Sequence, residues 1–265
     1  MNSELQIDRY PKLWQVFIIL LLTLFIIFVV GIIAFLISGG KGVLLSEAII
    51  IIPALFFTLV YNYSPVLLFR LRSIKLNLLV ISLIIGIAMT VISDEIDRLI
   101  QIIITIPESF RLIYEKFLVI NSISDFFIVV FSAVILAPVL EEMLFRGFLQ
   151  TTLEKNINIK AAIIVTSIIF AIFHAYPWVL LQIFIIGVVM GIMAWKSNSI
   201  IPSMMVHLIN NGIALIFVNS RPKQYRWYLY KGHVSIPILI ASILLAVFGM
   251  IIFFRLCKSS STETS

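Results

Sequence analysis

The stretch from Leu13 to Ile37 carries no charged residue, and runs of this kind constrain the fold more than any other feature. A helix that crosses the hydrocarbon core of a bilayer needs about 20 predominantly apolar residues. Soluble domains contain roughly 45–50% apolar and about 25% charged residues, whereas this chain is 62% hydrophobic and 12% charged. Its apolar runs are unbroken and lack the alternation of barrel strands. The sequence therefore predicts an all-α, polytopic membrane protein.

Eight apolar runs predict about eight transmembrane helices in one bundle, which we treat as a single domain, residues 1–265. Their predicted bounds are Leu13 to Ile37, Ala48 to Phe69, Leu76 to Ser93, Phe126 to Leu140, Asn158 to His174, Trp178 to Trp195, Ser199 to Asn219 and Ile236 to Phe254. The longer linker from Asp94 to Asn121 interleaves charges with apolar residues, which is typical of a helix lying at the membrane surface.

Charge predicts an orientation and excludes one class of partner. The formal net charge is +6, but the basic residues are scattered among loops and form no stripe for nucleic acid. An even number of spans places both ends of the chain on one side, with eleven Lys and Arg against eight on the other. The positive-inside rule then predicts that both termini are cytoplasmic. With one cysteine, Cys257, a thiolate metal site is excluded.

Few strongly polar side chains occur within or beside the spans, and they fall in three clusters. They are Glu141, Glu142, Arg146, His174, His207, Asn210 and Asn211. Ionisable residues in spans usually face the bundle interior and are functional candidates. The clusters therefore predict one polar site between helices.

Helical spacing divides the acid pair. Glu142 and Arg146 are four residues apart, so they share a helix face and can form an ion pair. Glu141 lies about 100° round the helix and is free to face another helix. His207 and Asn211 are also four residues apart. The free acid is therefore the candidate for chemistry, and its neighbour is the candidate for support.

Two mechanisms of amide hydrolysis fit these residue types. A carboxylate and an imidazole can together deprotonate water, while a second imidazole and a carboxamide stabilise the oxyanion. Alternatively, Glu141, His174 and His207 hold a zinc ion with water in the open position. No cofactor is certain from the residues, and both alternatives stay open.

Three motifs on separate predicted helices resemble the CPBP family of CAAX-protease and bacteriocin-processing membrane proteins, also called Abi. The motifs follow each other at intervals of about 30 residues. The pattern E-E-x-x-x-R is matched by Glu141, Glu142 and Arg146, the pattern F-x-x-x-H by Phe170 and His174, and the pattern H-x-x-x-N by His207 and Asn211. The resemblance covers residues 125–218 and extends to the type 2 CAAX prenyl proteases.

The resemblance implies a role for each matched residue. Glu141 would be the general base that activates water with His174, and His207 and Asn211 would form the oxyanion site. Supporting roles would fall to Glu142, Arg146 and Phe170. Family members are often named metalloproteases, although the glutamate mechanism needs no metal. The family's active site opens towards the cytosol, where the eight-span scheme also places the acidic motif.

These inferences predict an intramembrane endopeptidase, a hydrolase whose substrate has a hydrophobic or lipidated segment. The main alternative is a non-catalytic membrane protein that gives immunity against a bacteriocin-like peptide or binds it. Partners would be the peptide and membrane lipids, without nucleic acid. The many Ile, Phe and Lys residues indicate a bacterial source, so the plasma membrane is the expected location.

Overall fold

The computed structural model describes residues 10–220 and 225–262, and in this part of the chain the fold is a bundle of helices. The helices are α1 Leu13–Ser38, α2 Gly40–Ser46, α3 Ile52–Val60, α4 Pro65–Leu68, α5 Leu76–Ile103, α6 Glu108–Leu118, α7 Ile123–Asn156, α8 Ile159–Phe173, α9 Leu180–Ser197, α10 Ile201–Asn219 and α11 Ile236–Thr262. A short antiparallel hairpin pairs β1 Leu229–Tyr230 with β2 His233–Val234. The all-α prediction is confirmed.

Seven helical segments of the described chain are long and apolar enough to cross a membrane, with α2 and α3 counted as one segment, and α8 is a shorter apolar helix. Each of these eight segments overlaps one of the eight predicted spans. The protein is therefore an integral, multi-pass membrane protein. The linker from Asp94 to Asn121 is helical in two parts, the end of α5 and α6.

Several predicted span ends were wrong. The second span was predicted to reach Phe69, but α3 ends at Val60 because Asn62 adopts a left-handed conformation (φ 54°). The third was predicted to end at Ser93, but α5 continues to Ile103. Its charged extension is stabilised by pairs four residues apart, such as Asp94 with Arg98 at 3.0 Å.

The most consequential correction concerns α7, which was predicted to end at Leu140 but runs on to Asn156. It contains two segments of wider π-type turns, Val130–Leu136 and Met143–Leu149. Pro138 lies between them, where its missing N–H is tolerated by the altered hydrogen-bond pattern. The acidic motif is thereby in the middle of a long helix instead of at its end.

The second half of α7 is held by close backbone packing. A Cβ built on Gly147 would lie 2.7 Å from Phe69 Cα and 3.0 Å from Phe69 O, so the backbones of these two segments are in contact. The next residue, Arg70, is buried and pairs with Glu154 at the end of α7. Arg70 is therefore a structural residue of the bundle rather than part of a basic loop.

The loops assigned to the side of the chain ends do lie together. Ser199 Oγ donates to Arg72 O at 2.6 Å, and the Lys155 ammonium lies 5.0 Å from the centre of the Tyr10 ring. However, two of the eleven basic residues counted for this side, Arg70 and Arg146, are buried. The charge difference that predicted the orientation is therefore smaller in the structure than in the sequence.

We expect Gly147→Ala to lower the free energy of unfolding by about 1–3 kcal/mol, because the added methyl group meets backbone atoms that cannot rotate away. Thermal and denaturant unfolding of purified protein in detergent would measure this loss. Gly31→Ala is the matched control, since its nearest neighbour would be Ser46 Oγ at 4.0 Å. Equal stability of the two variants would contradict the close packing of α7 on Phe69.

Candidate active site

The two adjacent acids of α7 have different surroundings, as their helical spacing predicts. Glu142 and Arg146 are both 0% exposed, and Arg146 Nη1 donates to Glu142 Oε1 at 2.7 Å. Arg146 Nη2 lies 3.4 Å from the carbonyl oxygen of Gly187 on α9, and the guanidinium covers the Phe170 ring at 4.0 Å. The arginine is thus committed to Glu142 and to two neighbouring helices, and it leaves Glu141 without a cation.

Glycine at position 187 allows this approach. A Cβ there would lie 3.4 Å from both Arg146 Nη2 and a Phe170 ring carbon. One turn later, Gln150 Nε2 donates to Gly191 O at 2.9 Å. The two glycines of α9 therefore bring its backbone into hydrogen-bonding distance of α7, in the way small residues join membrane helices.

Each histidine ring is oriented by its Nδ1 atom. His174 follows the last residue of α8, and its Nδ1 lies 2.9 Å from Phe170 O. Because a carbonyl oxygen only accepts, Nδ1 donates, and Nε2 of the neutral ring is left as an acceptor. His207 on α10 is 4% exposed, and its Nδ1 lies 3.2 Å from Glu142 Oε1. Both Nε2 atoms are thereby turned towards Glu141.

Glu141 is at the centre of the site. Its Oε2 atom lies 3.9 Å from His174 Nε2 and 4.0 Å from His207 Nε2. This oxygen is buried and has no hydrogen-bond partner in the part of the chain that the structure describes. The structure therefore brings together three of the predicted catalytic residues around an unpartnered carboxylate oxygen.

Asn211 borders the same space but is already partly engaged. Its Nδ2 donates to Ala133 O in the first wide-turn segment of α7 at 2.9 Å. An amide nitrogen has two hydrogens, so one N–H remains for another acceptor. Asn210 Nδ2 lies 3.5 Å from Asn211 Oδ1, a long contact that places Asn210 behind its neighbour.

A cavity of about 380 Å³ lies in front of Glu141, His174 and Asn211. The rest of its wall is largely apolar and comes from α1, α2, α6, α7, α8 and α10. It reaches towards the end of the bundle where Phe117 and Leu118 of α6 lie, away from the chain ends.

One acid of the cavity was missed by sequence reasoning. Glu47 lines the wall with Glu141, in the short 3-10 turn Glu47–Ile49 between α2 and α3. It directly precedes the second predicted span, where an acid looks like an ordinary loop residue. No local spacing connects it to the motifs, so only its position in the folded chain identifies it.

The third histidine has a separate, structural environment. His233 Nδ1 lies 2.8 Å from Glu95 Oε1, and Glu95 Oε2 accepts from Val234 N at 2.7 Å. Tyr228 donates to Asp94 at 2.8 Å, and burial together with this carboxylate raises the pKa of Tyr228 well above its usual range. This network fixes the hairpin to α5 and lies outside the cavity.

The zinc alternative is not supported by the geometry of the described residues. Tetrahedral zinc takes three or four ligand atoms at about 2.0–2.3 Å from the ion. Among the residues that the structure covers, no group of three or more His, Cys, Asp and Glu side chains could hold a metal ion. We therefore derive no step of the chemistry through a metal.

Comparison with known protein families matches residues 123–213 to the family described as type II CAAX prenyl endopeptidase Rce1-like. The match begins at the first residue of α7 and includes every motif residue of the site. Residues 123–213 are similar to this family, and we call them the Rce1-like segment. This confirms the resemblance on which the sequence analysis rested. No curated protein and no solved structure matches the chain.

The Rce1-like segment supports a CAAX-type intramembrane endopeptidase at the level of the family. It contains α7, α8, α9 and most of α10. The cavity wall formed by α1, α2 and α6 lies outside it. The family therefore accounts for the polar centre of the site, and the surrounding wall belongs to the rest of this chain.

The buried ion pair of the Rce1-like segment predicts a large effect of Glu142→Gln. We expect a loss of about 3–5 kcal/mol in the free energy of unfolding, because Arg146 would remain charged and unpaired in the interior. The double variant Glu142→Gln/Arg146→Met should lose less, since no unpaired charge is left. Unfolding in detergent measures both.

The control for this prediction is Glu108→Gln, which makes the same chemical change at a side chain that is 68% exposed and pairs with Arg111. It should lower the free energy of unfolding by less than about 1 kcal/mol, because exposed ion pairs contribute little to stability. If Glu142→Gln cost no more than this control, the pair would not be a buried structural element.

Proposed function

We propose that this protein is an intramembrane endopeptidase that hydrolyses a peptide bond with a water molecule activated by Glu141 and His174. The observation that carries the proposal is the unpartnered Oε2 atom of Glu141 between two histidine Nε2 atoms, at 3.9 and 4.0 Å. A water molecule between Glu141 and His174 would be within reach of two proton acceptors, as general-base catalysis requires.

In the first step, the Glu141 carboxylate takes a proton from water, and the hydroxide oxygen bonds to the peptide carbonyl carbon. His174 orients the water through its Nε2 lone pair. Its own ring is held by the Phe170 carbonyl at 2.9 Å. This contact fixes the tautomer that accepts, as partners of catalytic histidines do.

In the second step, His207 and Asn211 stabilise the negative charge on the carbonyl oxygen. His207 donates from Nε2 when its ring carries both protons, while its Nδ1 stays against Glu142 Oε1 at 3.2 Å. The second N–H of Asn211 is the other donor. The C–N bond then breaks, and the proton held by Glu141 passes to the leaving amine, so the reaction consumes one water and regenerates the carboxylate.

The remaining motif residues act by positioning. Arg146 and Glu142 place His207, and Phe170 packs edge-on against both histidines, with ring centres at 4.7 Å from His174 and 5.7 Å from His207. Glu142 and Arg146 are fully buried and paired with each other, and Phe170 is buried, so we give these three residues no contact with the substrate.

The apolar wall of the cavity favours a substrate with a hydrophobic or lipidated segment. A peptide that enters this space removes apolar surface from water or lipid headgroups and brings its backbone next to Glu141. The volume of about 380 Å³ accommodates a short stretch of side chains, so most of the substrate would lie outside the cavity.

We expect Glu141→Gln and His174→Ala each to lower kcat for a hydrophobic reporter peptide at least about a hundredfold, because each removes a proton acceptor. Purified protein in detergent, assayed by mass spectrometry of the products, measures this. Glu108→Gln is the control and should cleave at the normal rate. Full cleavage by Glu141→Gln would overturn the mechanism, and no cleavage by the unchanged protein would favour the non-catalytic immunity or binding alternative.

We expect Asn211→Ala to lower kcat about a hundredfold to a thousandfold with little change in KM, as loss of an oxyanion donor does. Asn210→Ala, the adjacent substitution of the same kind, should lose less than about tenfold. If the two variants changed kcat equally, or if Asn211→Ala changed KM alone, the oxyanion role would be wrong.

We expect activity to survive removal of metal, because the proposed chemistry uses only side chains and water. The test is a chelator titration in which residual zinc and the rate of cleavage are measured in the same samples. Loss of cleavage in metal-free protein, with recovery on adding zinc, would contradict this and restore the zinc mechanism with Glu141, His174 and His207 as ligands.

A further inference from the structure

The cavity contains a second carboxylate that the hydrolysis does not use. Glu47 lines the wall with Glu141, and the turn that carries it packs against the α7 segments Val130–Leu136 and Ala137–Glu142. Glu141 both receives the proton from water and returns it to the amine, so the reaction is balanced without another acid. Glu47 therefore has some other role in the cavity.

No cation of the described chain neutralises Glu47. The described side chains, those of residues 10–112, 116–220 and 225–258, make no hydrogen bond and no ion pair with its carboxylate, and the charge that acts on it is the like charge of Glu141. Lys41, the nearest basic residue in sequence, pairs with Asp125. Arg146 is committed to Glu142. Among the described side chains that line the cavity there are thus two carboxylates and no lysine or arginine.

The surroundings of Glu47 suit an aliphatic chain that ends in a positive charge. Its neighbours along the wall are apolar side chains of α1, α2 and the turn after it, namely Leu24, Ile27, Val43, Leu44 and Ile50. A carboxylate that is partly buried in such a place is costly until a partner pairs with it. Lysine has a four-carbon stem that packs on apolar surface and an ammonium that pairs with a carboxylate.

We propose that Glu47 is a specificity-determining residue of this cavity, and that it selects substrates with a lysine or arginine side chain beside the apolar segment that is cleaved. This inference rests on the proposed endopeptidase function and names its substrate class. It concerns a residue outside the Rce1-like segment 123–213. The family match therefore says nothing about the role of Glu47.

The test uses pairs of synthetic peptides. In one member a single lysine is moved step by step along an otherwise uncharged apolar segment, and in the other norleucine replaces it. Norleucine keeps the aliphatic stem and removes the ammonium. At one position or a few adjacent ones, we expect the unchanged protein to prefer lysine at least about tenfold in kcat/KM.

Glu47→Gln should bring this ratio close to one, and Glu47→Lys should reverse the preference in favour of a peptide with glutamate at the same position. The control Glu108→Gln changes an exposed acid at the same end of the bundle and should keep the lysine preference. The charge-reversal variant gives a readout that a purely structural role of Glu47 would not produce.

Three results would overturn the proposal. The unchanged protein could show no lysine preference at any position, Glu47→Gln could keep the preference, or Glu47→Gln could lower kcat equally for both peptides of a pair. The last result would make Glu47 a proton donor or a structural residue instead. Partial unfolding of a variant is recognised by its melting temperature, and the ratio within one variant is independent of its folded fraction.

Binding separates failure of this proposal from failure of the proposed function. Labelled lysine and norleucine peptides would be titrated against Glu141→Gln protein, in which cleavage is not required. Tighter binding of the lysine peptide, lost in Glu141→Gln/Glu47→Gln, would support the specificity role even if the unchanged protein cleaved nothing. Equal binding of the two peptides would refute it, whether or not the protein is a peptidase.

Discussion

The buried ion pair of Glu142 and Arg146 is the interaction on which the rest of the site depends. Both side chains are fully buried, and such charges are tolerated inside a protein only when other groups also satisfy them. Here the partners come from three further helices: His207 of α10, the Gly187 carbonyl of α9 and the Phe170 ring of α8. The need to satisfy one pair thus fixes four helices relative to each other.

The pair also determines the chemistry of its neighbour. Because Arg146 is occupied by Glu142, the adjacent Glu141 lies in the interior without a cation. Glu142 in turn occupies Nδ1 of His207, which directs the other ring nitrogen at Glu141. A carboxylate with a buried, unpartnered oxygen between two imidazoles is costly for stability, and sites of this kind are where function is expected.

The chain divides into a polar centre and an apolar enclosure. The Rce1-like segment, residues 123–213, contains every motif residue, whereas α1, α2 and α6 supply much of the wall that a substrate would touch. In the proposed reaction, chemistry and selectivity would therefore be carried by different parts of the sequence. Glu47 belongs to the enclosure, and we assign it to selectivity for that reason.

The sequence by itself determined the membrane class, the eight apolar segments and the residues of the polar centre. These follow from local properties, since apolar runs reflect bilayer thickness and residues four apart share a helix face. The pairing of Glu142 with Arg146 and the freedom of Glu141 could be predicted in the same way, before any contact between helices was known.

Only the tertiary structure decided how far α7 extends and which other residues border the cavity. An end at Leu140 would have put Glu141 and His174 at opposite ends of adjacent spans. The longer α7 brings them within 3.9 Å. Its charged residues do not end the helix, because Arg146 and Glu154 find partners on other segments. Glu47 reaches the cavity because a turn that is distant in sequence packs against α7. Sequence periodicity does not predict such a contact.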